Sequence, residues 1–146
     1  MADLTGRDVF SGDAVSVTLA GKRIATVQPV APAEGMPWLG PGLVDIQVNG
    51  FAGIDLNGDS ATAEQVVALT QALLRVGVTS YLPTVITADP QRIEARLVAI
   101  AEAVQSDALT ASVVAGIHLE GPFISPQDGA RGAHPLDAVR APDWTL

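Results

Sequence analysis

The chain has 146 residues, 48% of them hydrophobic and 4% aromatic, with no cysteine and a formal charge of −8. That length is about one domain, with a core of Val, Leu, Ile and Ala; the lack of cysteine excludes disulfides, thiolate metal sites and a cysteine nucleophile, and fits a reducing compartment. The acids are scattered, which argues against a nucleic-acid partner; no apolar run approaches the roughly 18 residues of a membrane span, and residues 1–8 lack the apolar segment of a signal peptide, so a cytoplasmic protein is expected.

Taken in order, residues 8–28 read as small antiparallel strands. Asp8-Val9-Phe10 is one, Ser11-Gly12-Asp13 a turn, and Ala14 to Leu19 alternates like a half-buried strand. Gly21-Lys22 signals a hairpin, with Arg23 to Val27 as the return strand. Residues 29–42 carry Pro29, Pro32, Gly35, Pro37, Gly40, Pro41 and Gly42, the composition of a linker and a domain boundary.

The pattern then changes. Leu43 to Gly50 alternates, with Val44, Ile46 and Val48 on one face and Asp45, Gln47 and Asn49 on the other. A glycine-bearing loop follows over 50–58. Ser60 or Thr62 caps a helix over about 63–76, in which Val66, Leu69 and Leu73 share a face and Gly77 stands just past the end. Val78 to Leu82 reads as a strand limited by Pro83, with Thr84 to Thr87 continuing it. Asp89-Pro90 starts a second helix with the stripe Ile93, Leu97, Ile100, Ala101 and Val104. A strand from Val113 through Glu120 ends at Gly121-Pro122, and residues 124–146 are loop-like. Strand, helix, strand, helix, strand predicts a parallel sheet of βα units.

Three constellations could carry chemistry. Asp45, Gln47 and Asn49 put polar groups on a strand that a covered parallel sheet would make apolar. They read either as a wet pocket or as a face that meets solvent. His118 and Glu120 share one face of a strand at its C-terminal end, where α/β sheets keep their sites. The Glu120 reading is open between a site and a structural ion pair, and His118 alone reads as a hydrogen-bonded core histidine before a ligand. Arg131 to Pro135 brings a cation and His134 near that loop; each reads as a ligand contact or as a solvated loop residue. Asp55 and Asn57 read as turn residues. An anionic substrate would need a cationic pocket, and Arg131 is the one arginine expected near Glu120. No phosphate-binding glycine loop or nucleophile elbow is present.

The series Pro41 to Gly50, Thr79-Ser80-Tyr81-Leu82-Pro83-Thr84, His118-Leu119-Glu120-Gly121-Pro122-Phe123 and Gly132-Ala133-His134-Pro135 resembles N-acetylglucosamine-6-phosphate deacetylase, of the amidohydrolase superfamily. The resemblance covers essentially the whole chain. It implies an α/β fold, the N-terminal part of a metal-dependent (β/α)8 barrel hydrolase preceded by a partial small β-sandwich. Residues 1–41 would be the N-terminal half of the sandwich and 42–146 the first three βα units of an incomplete barrel. The implied reaction removes the N-acetyl group of N-acetylglucosamine 6-phosphate, giving glucosamine 6-phosphate and acetate.

By the same resemblance Glu120 is a ligand of one divalent metal ion, zinc first, with iron, manganese or cobalt as alternatives. Ala133, through its backbone, and His134 fall at the substrate. Gln47 and Asn49 stand where many amidohydrolases have a His-x-His pair, which implies a single-metal branch and substrate-binding roles. The resemblance places the other metal ligands, the general-base aspartate and the main phosphate contacts beyond residue 146, so no catalytic residue is expected in this chain and the chain alone is expected to be inactive. A homodimer is implied for the full-length protein, and an amino-sugar phosphate as the small-molecule partner. Two other readings stand beside this one: an amidohydrolase acting on a related N-acyl amino-sugar phosphate, and a non-catalytic truncated protein.

Overall fold

The computed structural model describes residues 2–58 and 61–143. Two compact units divide the chain, Met1–Pro41 and Gly42–Leu146.

In the first unit β1 (Ala2–Asp8), β2 (Ala14–Ala20), β3 (Arg23–Pro29) and the two-residue β4 (Trp38–Leu39) form a sheet in the order β3-β2-β1-β4. Gly21 and Lys22 make the tight turn between β2 and β3, with Gly21 at φ 62. The strand expected at Asp8 to Phe10 instead ends at Asp8. The Asp8 carboxylate accepts from the amides of Phe10 and Ser11 at 3.0 and 2.8 Å, which turns the chain there. Those two amides hold the Asp8 carboxyl below its ordinary value. Inside the expected linker, β4 pairs parallel with β1, and Arg7 N–H donates to the Pro37 carbonyl at 2.7 Å.

The second unit begins with β5 (Leu43–Val48) and a small hairpin, β6 (Gly50–Phe51) with β7 (Ile54–Asp55). Then come α1 (Ala63–Arg75), β8 (Val78–Ile86), α2 (Pro90–Ser106), α3 (Ala108–Val113) and β9 (His118–Glu120). The sheet order is β5-β8-β9, all parallel, as alternating strands and helices require. Thr62 caps α1: its hydroxyl accepts from Gln65 N–H, and Gln65 Oε1 accepts from Thr62 N–H at 3.1 Å. Ser60, the alternative cap, lies outside the described residues. Asp89 caps α2 by accepting from Arg92 N–H at 3.0 Å, with Pro90 as its first residue. Gly77 follows α1 at φ 88, the left-handed conformation that ends a helix without strain.

The core of this unit is Val66, Leu69 and Leu73 of α1 against Tyr81 and Val85 of β8, with Ile93, Ile100 and Ala103 of α2 and Val113 of α3. Tyr81 is fully buried and its hydroxyl meets Thr70 Oγ1 at 2.9 Å, while Thr70 donates to the Val66 carbonyl. Burial pushes the Tyr81 hydroxyl pKa up, opposed by the bond to Thr70.

Three expectations are corrected here. Pro83 does not limit its strand, because β8 runs through it; the proline sits beside a register irregularity against β5, where no ladder donor is required. Val113 belongs to α3, which Asp107 caps by accepting from Thr110 N–H at 2.6 Å, and the ordered strand is only His118–Glu120. On α2 the buried stripe is Ile93, Arg96, Ala99, Ile100 and Ala103, while Ala101 faces out. Arg96 is buried because its guanidinium donates to the Asn57 carbonyl. Asn57 in turn accepts from Ile86 N–H and donates to the Thr84 carbonyl, each at 2.9 Å, pinning the 50–58 loop to β8.

Candidate functional site

Parallel strands deliver their C-terminal ends to one end of the sheet, and three of the polar residues picked out above, Gln47, Glu120 and His134, gather there. Gln47 stands near the end of β5 and Glu120 closes β9, on opposite edges of the three strands. Gln47 Nε2 donates to Glu120 Oε2 at 2.8 Å, across the intervening β8. His134, carried by the loop after β9, sets its Nε2 3.3 Å from Glu120 Oε1. The carboxylate therefore meets a separate partner at each oxygen. The Glu120 side chain is 31% exposed and that of His134 17%, so the cluster is partly sheltered yet open to a ligand.

Thr87, one residue past β8, joins the two halves of this cluster. Its hydroxyl lies 3.2 Å from the Glu120 carbonyl oxygen and 2.9 Å from His134 Nδ1. Gly121 follows Glu120 at φ 88, and a Cβ there would fall 1.9 Å from Thr87 Oγ1, so only glycine admits the hydroxyl so close. Sequence reasoning passed over Thr87. It reads as the tail of a strand, and only the close approach at Gly121 marks it.

The other candidates fare differently. His118 Nδ1 lies 3.0 Å from the Ile46 carbonyl, a backbone bond that ties β9 to β5 and makes Nδ1 the donor. Arg131 Nη1 donates to the His134 carbonyl at 2.6 Å and Nη2 reaches Asp128 at 3.4 Å, so its fork shapes the loop that presents His134. Asn49 is exposed, and its carbonyl accepts from Leu56 N–H. Ala133 is exposed and reaches the cluster through the chain to His134.

Beside the cluster, Arg92, Arg96 and Arg140 line a cavity of about 570 Å³ together with Asp89, Asp137 and Thr87. Arg140 also stacks over Phe123 at 5.8 Å, so a second arginine beside Arg131 serves this loop. Among the described residues no group of three or more His, Asp or Glu side chains could hold a metal ion. Glu120 with His134 supplies two such groups, short of the three protein ligands of a catalytic zinc site.

A parallel strand–helix sheet that gathers a carboxylate, an amide and an imidazole at the C-terminal ends of its strands has the layout of an α/β fold with a site in its usual place. No protein-family model matches the chain. It is 42% identical over 104 residues to N-acetylglucosamine-6-phosphate deacetylase of Rattus norvegicus, spanning 70% of this chain and 24% of that protein. The same-named protein of Caenorhabditis elegans is 39% identical over 131 residues, 87% of this chain and 30% of its own length. N-acetylgalactosamine-6-phosphate deacetylase of Escherichia coli O157:H7 is 36% identical over 120 residues, 80% of this chain and 30% of its own length.

Among solved structures, the N-acetylglucosamine-6-phosphate deacetylase of Pasteurella multocida superposes with a TM-score of 0.75 at 22% identity, over 99% of this chain and 40% of that one. A variant of the Mycobacterium smegmatis enzyme, in complex with N-acetyl-D-glucosamine-6-phosphate, superposes with a TM-score of 0.68 at 28% identity, over 97% and 37%. The relatives cited above are thus N-acetylglucosamine- and N-acetylgalactosamine-6-phosphate deacetylases, and the fold of this chain is similar to the N-terminal part of the N-acetylglucosamine-6-phosphate deacetylase structures. The chain spans 24% to 30% of the length of the curated relatives cited above.

Proposed function

We propose that this chain supplies the first part of the active site of an amino-sugar phosphate deacetylase, which hydrolyses the N-acetyl group of N-acetylglucosamine 6-phosphate to glucosamine 6-phosphate and acetate. The observation that carries the reading is the convergence of Gln47, Glu120 and His134, from three separate segments, at the C-terminal ends of the parallel strands. In this reading the three strands begin a (β/α)8 barrel, and the sheet of residues 1–41 is half of a small β-sandwich. The protein is cytoplasmic and works as a homodimer.

Glu120 is the carboxylate that would bind one divalent ion, zinc first and iron, manganese or cobalt otherwise. The donors present do not fit such an ion by themselves, since the described residues offer no group of three. The chemistry assigned to this chain is accordingly binding and orientation. Gln47 donates to Glu120 Oε2 and fixes the carboxylate plane. In this reading His134, the Ala133 backbone and the amides of Gln47 and Asn49 are the polar contacts to the sugar; in the chain without a sugar, Nε2 of His134 rests against Glu120 Oε1. In this reading the general base that takes the proton from water comes from outside this chain.

The identity to N-acetylgalactosamine-6-phosphate deacetylase supports a second reading in which the sugar differs while the amide chemistry is the same. The test is acetate release by the complete gene product, given the glucosamine and galactosamine substrates in turn, beside the 146-residue chain with added zinc. Turnover by the complete product and none by the chain is expected. Turnover by the chain at a comparable rate, or none by the complete product on either sugar, overturns the reading.

A further inference from the structure

We propose that Thr87 is a positioning residue of this site, and that it acts through its hydroxyl rather than its bulk. Thr87 is 2% exposed, so water does not compete for its hydroxyl. The hydroxyl has one hydrogen to give. Within reach are His134 Nδ1 at 2.9 Å and the Glu120 carbonyl at 3.2 Å.

The other ring nitrogen decides between them. Nε2 faces Glu120 Oε1 at 3.3 Å. An ionised carboxylate only accepts, and a charge-assisted bond is stronger than a neutral one, so Nε2 carries the ring hydrogen. In the neutral ring Nδ1 is then an acceptor, and Thr87 is its donor. The Glu120 carbonyl is the alternative acceptor of the same hydrogen. One hydroxyl thus holds the ring of His134 from behind and rests against the backbone of the residue whose carboxylate the ring meets. The glycine at 121 supports the assignment independently, because any side chain there would displace the hydroxyl.

This inference rests on the reading of Glu120 and His134 as site residues, and its test needs neither metal nor substrate. His118 and His134 are the only two histidines, so a chain labelled with ¹⁵N-histidine gives two rings to read. Magic-angle spinning tolerates any self-association of the chain. At about pH 8, above the ordinary imidazole range, both rings are compared in the wild-type chain, T87S and T87V. His118 donates from Nδ1 to a carbonyl and serves as an internal control of the fold.

In wild type and T87S we expect His134 protonated at Nε2, with its Nδ1 resonance displaced from that of the same nitrogen in the denatured chain. In T87V, which keeps the shape and loses the donor, the displacement is lost. A wild-type Nδ1 resonance at the denatured position overturns the proposal whatever the variants do. So does a T87V spectrum that matches wild type, or a T87S spectrum that loses the displacement as T87V does. These outcomes are independent of acetate release, so the deacetylase reading and the Thr87 assignment can fail separately.

Discussion

At the scale of single residues, Gly121 decides whether the cluster can form. Its φ of 88 and the 1.9 Å approach to Thr87 leave no room for a Cβ. Gly121→Ala should cost about 1–3 kcal/mol from backbone strain, read as a lower urea midpoint. A variant as stable as wild type would show that the close approach does not exist. Asp8 and Asp107 set an acid limit. Each is held below its ordinary value first by a backbone amide, that of Ser11 for Asp8 and that of Thr110 for Asp107. The unfolded chain therefore binds these protons first. The stability they contribute is whole above the ordinary carboxylate range and is lost as pH falls through the depressed folded values. Asp107→Asn keeps a capping oxygen but cannot titrate, so the fall in stability below about pH 4 should become shallower; an unchanged pH profile contradicts this. Glu120 and His134 were singled out in the sequence because each sits in a short motif beside glycine and proline, and their roles came only from the resemblance those motifs carry. Thr87 was not, because its role comes from two bonds to segments 33 and 47 residues away.

At the scale of elements, the sequence is clearest where an element has a local cause. Thr62 with Gln65, and Asp89 with Pro90, fix the starts of α1 and α2, and periodic Val66, Leu69 and Leu73 fix the buried face of α1. Leu69 is fully buried between the helices and β8, so Leu69→Ala should lose about 2–5 kcal/mol in chemical denaturation. Thr62→Ala should lose about 1 kcal/mol through the cap alone. A Leu69→Ala effect no larger than that of Thr62→Ala would place the core elsewhere. The elements misread had tertiary causes. β1 has Leu4 as its only large apolar residue and is a strand because β2 pairs along it. Pro83 ends a strand only where the ladder needs its N–H, and here it does not. The apolar run Val113-Val114-Ala115 looks like a strand by composition, but Asp107 caps a helix that ends in its first residue.

At the scale of the whole molecule, the three-stranded sheet has β5 and β9 as its two edges. Val44 and Ile46 on β5 are 69% and 67% exposed, and Ile117 and Leu119 at β9 are each 42% exposed. Apolar edge strands of this kind recruit other strands. The isolated chain should therefore self-associate in sedimentation experiments, and a lysine at Val44 should reduce association; a monodisperse, cooperatively melting monomer contradicts this. The strand–helix order of residues 42–120 was readable because hydrophobic period changes from two to 3.6 and back. The convergence of Gln47, Glu120 and His134 was not readable from spacing, since 73 residues separate the first pair. The central claim is that Glu120 is the carboxylate on which the site is built. It is tested most directly by Glu120→Gln in the complete gene product, with bound metal and acetate release measured on the same sample. Metal and turnover should fall together, by more than the roughly 10–100-fold that a ligand's neighbours cost. Retention of stoichiometric metal, or of full turnover, would contradict it.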